Sequence, residues 1–253
     1  MSVFKDYSAY YDLIYKDKDY VGEVDYIHSL IELSKPTGKT LLDIGCGTGK
    51  HAELLLKKGY SVHGFDFSAD MISIANKLVN DGNKSQLGFS QGDARSFNFD
   101  KQFDIITSLF HVTSYITDNE GLEKYFDAVN RHLKPGGIFI FDFWYGPGVL
   151  TDRPATRLKE MTNDKLDITR FAYPKMYANR NVVDVNYKLI IKDKRDSAFH
   201  EVLEVHPMRY FFLPELQLLT GKPGLEITHF FDWMTMNEPG FNTWAGVIVC
   251  KKP

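Results

Sequence analysis

The chain alternates short apolar runs with stretches of helical periodicity over its first 143 residues. Lys39 to Ile44 (KTLLDI) is an apolar run that ends in glycines. Lys50 to Lys58 then puts Ala52, Leu55 and Leu56 on one face and meets a stop at Gly59, which predicts a strand, a tight turn and a helix. A second strand is expected over Ser61 to Phe65, ending at Asp66. Ser68 follows in an N-cap position for a helix with Met71, Ile72, Ala75 and Leu78 inward. Leu87 to Ser90 and Phe103 to Leu109 read as strands, and Glu120 to Leu133 as a helix burying Leu122, Phe126, Val129 and Leu133. A turn at Pro135, Gly136 and Gly137 leads into a fifth strand, Ile138 to Phe143. Strands and helices alternating at this length predict an α/β fold with a doubly wound, mostly parallel sheet.

Beyond Trp144 the period changes to two. Alternation at Ile168 to Tyr173, Val182 to Ile191 and Val202 to Phe212 predicts three antiparallel strands and no helix across 144–207, with turns at Tyr177 to Asn181 and Lys192 to Asp196. A short helix is expected at Pro214 to Leu219, and closing strands at Glu226 to Trp233 and Asn242 to Cys250. Two closing strands beside the first five give seven in the main sheet. The organisation is then one domain over 1–253, with residues 144–207 as an antiparallel insertion after the fifth strand.

Composition narrows the function classes. With 30 Lys and Arg against 33 Asp and Glu the formal charge is −3, so no overall basic field favours nucleic acid or an anionic membrane. Two cysteines, Cys46 and Cys250, offer neither a disulfide framework nor a zinc spacing, and no His, Asp and Glu cluster has ligand spacing. The N-terminal 20 residues mix charges with tyrosines and no window approaches ~18 uninterrupted apolar residues. A cytoplasmic, unprocessed chain without metal is expected. Aromatic residues, at 14%, are abundant, and they concentrate before residue 27 and in the region after 143.

The candidate chemistry lies at Asp43-Ile44-Gly45-Cys46-Gly47-Thr48-Gly49, where the first strand turns into a helix. Glycines there let backbone amides approach a ligand at the carboxyl end of the sheet. A dinucleotide site wants G-x-G-x-x-G, whereas these glycines fall as G-x-G-x-G, which disfavours a nicotinamide-dependent oxidoreductase. The acidic Asp43 ahead of them suits an ammonium better than a phosphate.

D-x-G-x-G-x-G at 43–49 resembles motif I of class I (Rossmann-like) S-adenosylmethionine (SAM) dependent methyltransferases. Asp66 is similar to the acid that takes the ribose hydroxyls in that family, Gly92-Asp93-Ala94 to the turn that reads adenine, and Leu133 to Gly137 to the turn before the fifth strand. The resemblance implies SAM as cofactor, held by Asp43, Gly45, Cys46, Gly47, Gly49, Asp66, Phe67, Met71, Gly92, Asp93, Ala94, Leu109 and Phe110. The whole-chain layout looks most like small-molecule N-methyltransferases such as the aminosugar N,N-dimethyltransferases. It implies an N-terminal helical lid over 1–30, from which Tyr11 and Tyr20 either contact SAM or staple a helix to the sheet.

The expected reaction is in-line methyl transfer to a small-molecule acceptor, an amine by resemblance. A hydroxyl acceptor uses the same displacement geometry, and a SAM-binding protein without turnover is a further reading. After the fourth strand the chain reads Leu109 to Ile116 (LFHVTSYI), where the aminosugar enzymes carry a histidine at the position aligned with Tyr115. His111 and Tyr115 are the candidate catalytic residues, with His111 a general base, an acceptor-orienting group or a packing residue. Phe110, Tyr115 and Trp144 are candidate walls around a sulfonium. Arg153, Arg157, Lys159 and Arg170 are candidates to meet an anionic acceptor, and His206 is read with the other histidines as surface or packing. The inserted strands could pair with a second subunit in a homodimer.

Overall fold

The computed structural model describes residues 10–196 and 198–253, so the first nine residues of the expected lid lie outside the described residues. Five parallel strands form the first half of the main sheet: β1 (Thr40–Ile44), β2 (Ser61–Asp66), β3 (Leu87–Gln91), β4 (Phe103–Ser108) and β5 (Leu133–Tyr145). They lie in the order β3-β2-β1-β4-β5. The insertion contributes β6 (Arg157–Thr162), β7 (Leu166–Tyr177), β8 (Val182–Asp193) and β9 (Phe199–Phe211). Last come β10 (Glu226–Asp232) and β11 (Ala245–Lys251), with β11 antiparallel between β5 and β10. The seven-stranded, mostly parallel sheet is therefore present.

Alternate residues of the central strands enter cores on opposite faces. Leu42, Phe139, Phe141 and Phe143 join Leu122, Phe126 and Val129 of α5 (Asn119–His132), together with Leu216. Leu41, Ile138 and Ile140 join Val24, Ile27 and Leu30 of α2 (Tyr20–Ser34) and Ala52 and Leu55 of α3 (Lys50–Lys57). The described part of the N-terminal segment opens with a short helix, α1 (Tyr11–Ile14), before α2. Ser68 caps α4 (Ala69–Ala75), its Oγ accepting the Met71 amide at 3.3 Å.

Three expectations need correction. The Pro135-Gly136-Gly137 segment is not a turn between helix and strand. It is an irregularity inside β5, where the register passes from Phe103 opposite Leu133 to Ile105 opposite Ile138 and Gly136 takes φ +75°. The insertion has four strands, not three: β6 has only Leu158 and Met161 as apolar residues, three apart, and so shows no readable alternation. It is also preceded by a helix, α6 (Gly146–Thr151), hidden by its two glycines and proline. A Cβ on Gly148 would collide with the Thr243 carbonyl, so a close backbone approach explains that glycine.

The inserted sheet is antiparallel in the order β6-β7-β8-β9. It joins the main sheet through Trp144 opposite Tyr210 and Tyr145 opposite Phe211. This hinge swings the sheet over the carboxyl ends of β1, β2 and β4, where α1 packs against it through Ile14, Met161, Ile168 and Leu189. The last helix, α7 (Leu213–Gly221), carries Pro214 in its first turn as expected.

Candidate active site

A cavity of about 360 Å³ lies at those carboxyl ends, bordered by Tyr11, Tyr15 and Tyr20 of the N-terminal segment and Pro207 of the inserted sheet. Its floor is the glycine loop. Gly45, Gly47 and Gly49 all have positive φ, at 70°, 54° and 82°. A Cβ at Gly45 would sit 2.5 Å from Val112 Cγ2 and one at Gly49 2.8 Å from the Phe89 ring, whereas one at Gly47 meets nothing within 4 Å. Gly45 and Gly49 are glycine because of their neighbours. Gly47 faces open cavity, so its missing side chain leaves room for a ligand against the backbone.

The loop is tied to the second strand. The Gly45 and Cys46 amides donate to the Phe65 carbonyl at 2.8 and 3.0 Å, and the Gly47 amide donates to Asp66 Oδ2 at 2.9 Å. The Ser68 amide donates to the other Asp66 oxygen at 2.8 Å. Burial raises the Asp66 carboxyl above its ordinary range and these two amides oppose that shift. Each oxygen accepts one amide and keeps a second lone pair for two adjacent hydroxyls on a ligand.

Asp43 is 2% exposed and lies behind the loop, not among the residues lining the cavity. Its Oδ1 accepts from Thr107 Oγ1 at 2.8 Å, while its Oδ2 is a buried acceptor with no hydrogen-bond partner. Burial pushes the carboxyl up to about 6, against the pull of nearby His51. An unsatisfied buried acceptor under the glycine loop favours a donor-rich or cationic group above it.

At the adenine-reading turn, Gly92, Asp93 and Ala94 all line the cavity, and Phe67, Met71 and Cys46 complete that end. Asp93 is engaged by its neighbour: Arg95 Nε and Nη2 donate to its two oxygens at 2.9 and 2.6 Å, which holds the carboxyl below its usual range. Any ligand amine at Asp93 shares it with Arg95, a cavity residue that the sequence reading did not single out. Leu109, Phe110, Tyr11 and Tyr20 also line the cavity.

A buried charge cluster that no sequence spacing announces joins α2 to α3. Lys18 forms an ion pair with Glu23, and Glu23 Oε2 lies 2.7 Å from His51 Nε2. The Lys18 ammonium stands 4.5 Å from the Tyr20 ring centre and 4.4 Å from that of Phe110. The two rings beside the cavity therefore already hold a cation, which is the environment a sulfonium needs.

Phe110 and His111 occupy left-handed backbone at φ 65° and 64°, two adjacent non-glycine residues at the end of β4. Such conformations cost of order 1–3 kcal/mol each and survive where surroundings enforce them. Asp142, 1% exposed, does so here: the His111 amide is 3.1 Å from both its oxygens, and His111 Nδ1 is 2.6 Å from Oδ2. The His111 side chain is turned toward Asp142 and Trp144 and is absent from the cavity lining. Trp144 is absent from it too and packs on Trp244, so of the three candidate aromatic walls Phe110 and Tyr115 line the cavity and Trp144 does not.

Tyr115 ends a 3₁₀ turn, Val112–Tyr115, and lines the cavity together with Thr117, Asp118 and Pro207 of β9. Its Oη is 2.9 Å from Nδ1 of His206, which is 3% exposed, and His206 Nε2 is 3.0 Å from Glu204 Oε2. His206 is thus neither surface nor simple packing. The expected basic group disperses: Arg153 and Arg157 are exposed, Lys159 donates to the Ile14 carbonyl at 3.1 Å, and Arg170 lies over the Tyr187 ring. None of the four lines the cavity.

A doubly wound sheet with this strand order, a glycine loop open to a cavity, and an acid at the end of β2 define a Rossmann-like nucleoside-binding enzyme. Residues 41–137 match the family described as a methyltransferase domain. A curated relative, the dTDP-3-amino-3,4,6-trideoxy-alpha-D-glucopyranose N,N-dimethyltransferase of Streptomyces venezuelae, is 26% identical over 88% of this chain and 92% of its own. Among solved structures, an S-adenosylmethionine-dependent methyltransferase from Clostridium acetobutylicum superposes with TM-score 0.81 at 25% identity, covering 98% of both chains. SAM-bound CalS10, an amino pentose methyltransferase from Micromonospora echinaspora, superposes with TM-score 0.76 at 21% identity over 100% of this chain and 99% of its own. Residues 41–137 thus carry a methyltransferase domain, and the chain along its whole length is similar to SAM-dependent methyltransferases. No helix among the described residues is long and apolar enough to cross a membrane.

Proposed function

We propose that the enzyme N-methylates an amino group on a nucleotide-linked deoxysugar. The observation that carries this reading is the continuity of one cavity. Its lining takes in the glycine loop, Asp66, Tyr115, Thr117 and, from the inserted sheet, Pro207, so one enclosure has room for cofactor and acceptor. Relatives that match nearly the whole chain, insertion included, are named for dTDP-aminosugar N,N-dimethylation.

SAM bound at the glycine loop supplies a methyl group activated by a sulfonium, ready for displacement by an amine. The Asp66 oxygens take the ribose hydroxyls, the loop of Gly45, Cys46, Gly47 and Gly49 admits the amino-acid end near Asp43, and Asp93 with Ala94 receives adenine. Phe67, Met71 and Leu109 wall the nucleoside, while Tyr11, Tyr20 and Phe110 exclude water and face the cationic centre. Tyr115 meets the acceptor. His111 acts on Phe110 and the corner of the loop through Asp142, as a positioning residue. The outward face of the inserted sheet exposes Leu158, Phe199, Leu203 and Val205, and a homodimer through this face completes the proposal.

The test is production of S-adenosylhomocysteine with dTDP-3-amino-3,4,6-trideoxyglucose, a free amino acid and a phenol as acceptors, beside titration calorimetry with SAM and with NAD. SAM binding and turnover of the aminosugar are expected. Turnover of the phenol alone overturns the N-methylation reading, and NAD binding without SAM binding overturns the cofactor assignment. A monomer at micromolar concentration by light scattering overturns the dimer.

A further inference from the structure

We propose that Glu204, His206 and Tyr115 form a proton relay that lets Tyr115 act as the proton acceptor for the substrate amine. The inference rests on the N-methylation reading above and assigns a role to two residues, Glu204 and His206, from the inserted sheet.

The geometry is directional. Tyr115 Oη stands 2.9 Å from His206 Nδ1, and the opposite ring nitrogen stands 3.0 Å from Glu204 Oε2. A carboxylate accepts and cannot donate, so Glu204 fixes the proton on Nε2 and leaves Nδ1 as an acceptor for the Tyr115 hydroxyl. The arrangement is held: the His206 ring is buried, packs edge-on against Tyr187 at 4.9 Å, and sits on β9 in register opposite Val185 of β8. Tyr115 is at the cavity end of this chain of contacts and His206 is behind it, away from the lining.

An amine protonated in solution has no lone pair and cannot attack. Through the relay the substrate ammonium gives a proton to Tyr115 Oη as the phenol gives its own to His206 Nδ1, leaving a neutral amine, a neutral phenol and an imidazolium beside the Glu204 carboxylate. The freed lone pair then forms the N–C bond to the methyl group as the C–S bond breaks. The electron pair stays on sulfur, and S-adenosylhomocysteine and a methylated ammonium result. The imidazolium returns its proton to solvent between turnovers, and the same cycle serves a second methyl transfer.

The charged and titratable groups around His206 come from several elements. Glu204 lies on its own strand, Tyr115 on the 3₁₀ turn, and Tyr187 on β8, where burial pushes its hydroxyl to about 12. Arg170 of β7 covers Tyr187 from behind, Tyr15 acts on Tyr187 from the lid, and Tyr11 of α1 is coupled to Tyr115. Glu204 is the acid in direct contact with the ring, its Oε2 3.0 Å from Nε2.

The experiment uses the full chain labelled with ¹⁵N-histidine and three variants: His206→Asn, Glu204→Gln and Tyr115→Phe. Without any acceptor, the ring nitrogens of His206 are expected to show the Nε2–H tautomer with Nδ1 as a hydrogen-bonded acceptor, and Tyr115→Phe is expected to move the Nδ1 resonance. With SAM and dTDP-3-amino-3,4,6-trideoxyglucose, His206→Asn keeps a hydrogen-bond acceptor beside Tyr115 but cannot hold a proton. Its kcat is expected to fall ~10²-fold with SAM affinity unchanged and the acidic limb of the pH profile lost. Glu204→Gln is expected to lower kcat as well, since the ring loses the carboxylate that fixes its tautomer. An Nδ1–H tautomer, or a His206→Asn enzyme within about threefold of wild type with an unchanged profile, overturns the relay. If wild type binds SAM but turns over no amine, the acceptor reading fails, and the tautomer and its response to Tyr115→Phe still decide the relay.

Discussion

At the scale of single residues, two groups under the glycine loop make measurable predictions. Asp43 is held protonated up to about pH 6, above an ordinary carboxyl, because burial penalises its charge. Its folded value exceeds its unfolded one, so its contribution to stability is full below pH ~4 and is lost as pH rises through about 6, an effect of order 1–3 kcal/mol. Urea denaturation of the ligand-free protein between pH 4 and 7.5 is expected to show a fall that Asp43→Asn flattens. Gly47→Ala folds at a cost of about 1 kcal/mol from its left-handed backbone, yet its new methyl enters the cavity and is expected to weaken SAM binding in calorimetry. Gly45→Ala costs more stability, since its Cβ meets Val112. Asp43, Asp66 and the three glycines were legible because they are near neighbours in sequence or end successive strands. His206 was not: it meets Tyr115 across 91 residues, and no local spacing links them.

At the scale of elements, periodicity predicted what one face decides and missed what irregular backbone decides. α5 was readable because Leu122, Phe126 and Val129 recur on a face that packs against Phe139 and Phe141. Phe126→Ala is therefore expected to lower the stability measured by denaturant titration by ~3–5 kcal/mol. The β6 strand and the α6 helix escaped for opposite reasons, one because it exposes nearly every side chain, the other because its glycines serve a backbone contact rather than flexibility. The corner at Phe110 and His111 was also unreadable, since nothing in their side chains announces a left-handed backbone. Asp142 enforces it from β5, and its replacement by Asn removes a charged acceptor from the His111 amide. A loss of ~1–3 kcal/mol is expected for Asp142→Asn, together with a fall in kcat that exceeds any change in SAM affinity, because the Phe110 wall is released.

At the scale of the molecule, the main sheet and the inserted sheet share one cavity but, among the described residues, only two strand-paired positions, Trp144 with Tyr210 and Tyr145 with Phe211. Arg209 supplies a second link. It is 9% exposed on β9 and donates to the Thr117 carbonyl at 3.2 Å and Asn119 Oδ1 at 2.8 Å, while pairing with Glu215 of α7. One guanidinium thus fixes the acceptor loop of the core, the strand that carries His206, and the helix that follows it. A planar, multidentate donor is needed for three partners, and a lysine ammonium on a flexible stem does not reproduce it. Arg209→Lys is expected to keep the fold and to lower kcat/KM for the amine acceptor by ~10-fold as Tyr115 and Thr117 lose their fixed relation to β9. Arg209→Met, which strands Glu215, is expected to destabilise as well, by less than the ~3–5 kcal/mol of a fully buried pair because Glu215 retains access to water. Steady-state kinetics with SAM saturating, read beside thermal denaturation of both variants, checks the two halves separately.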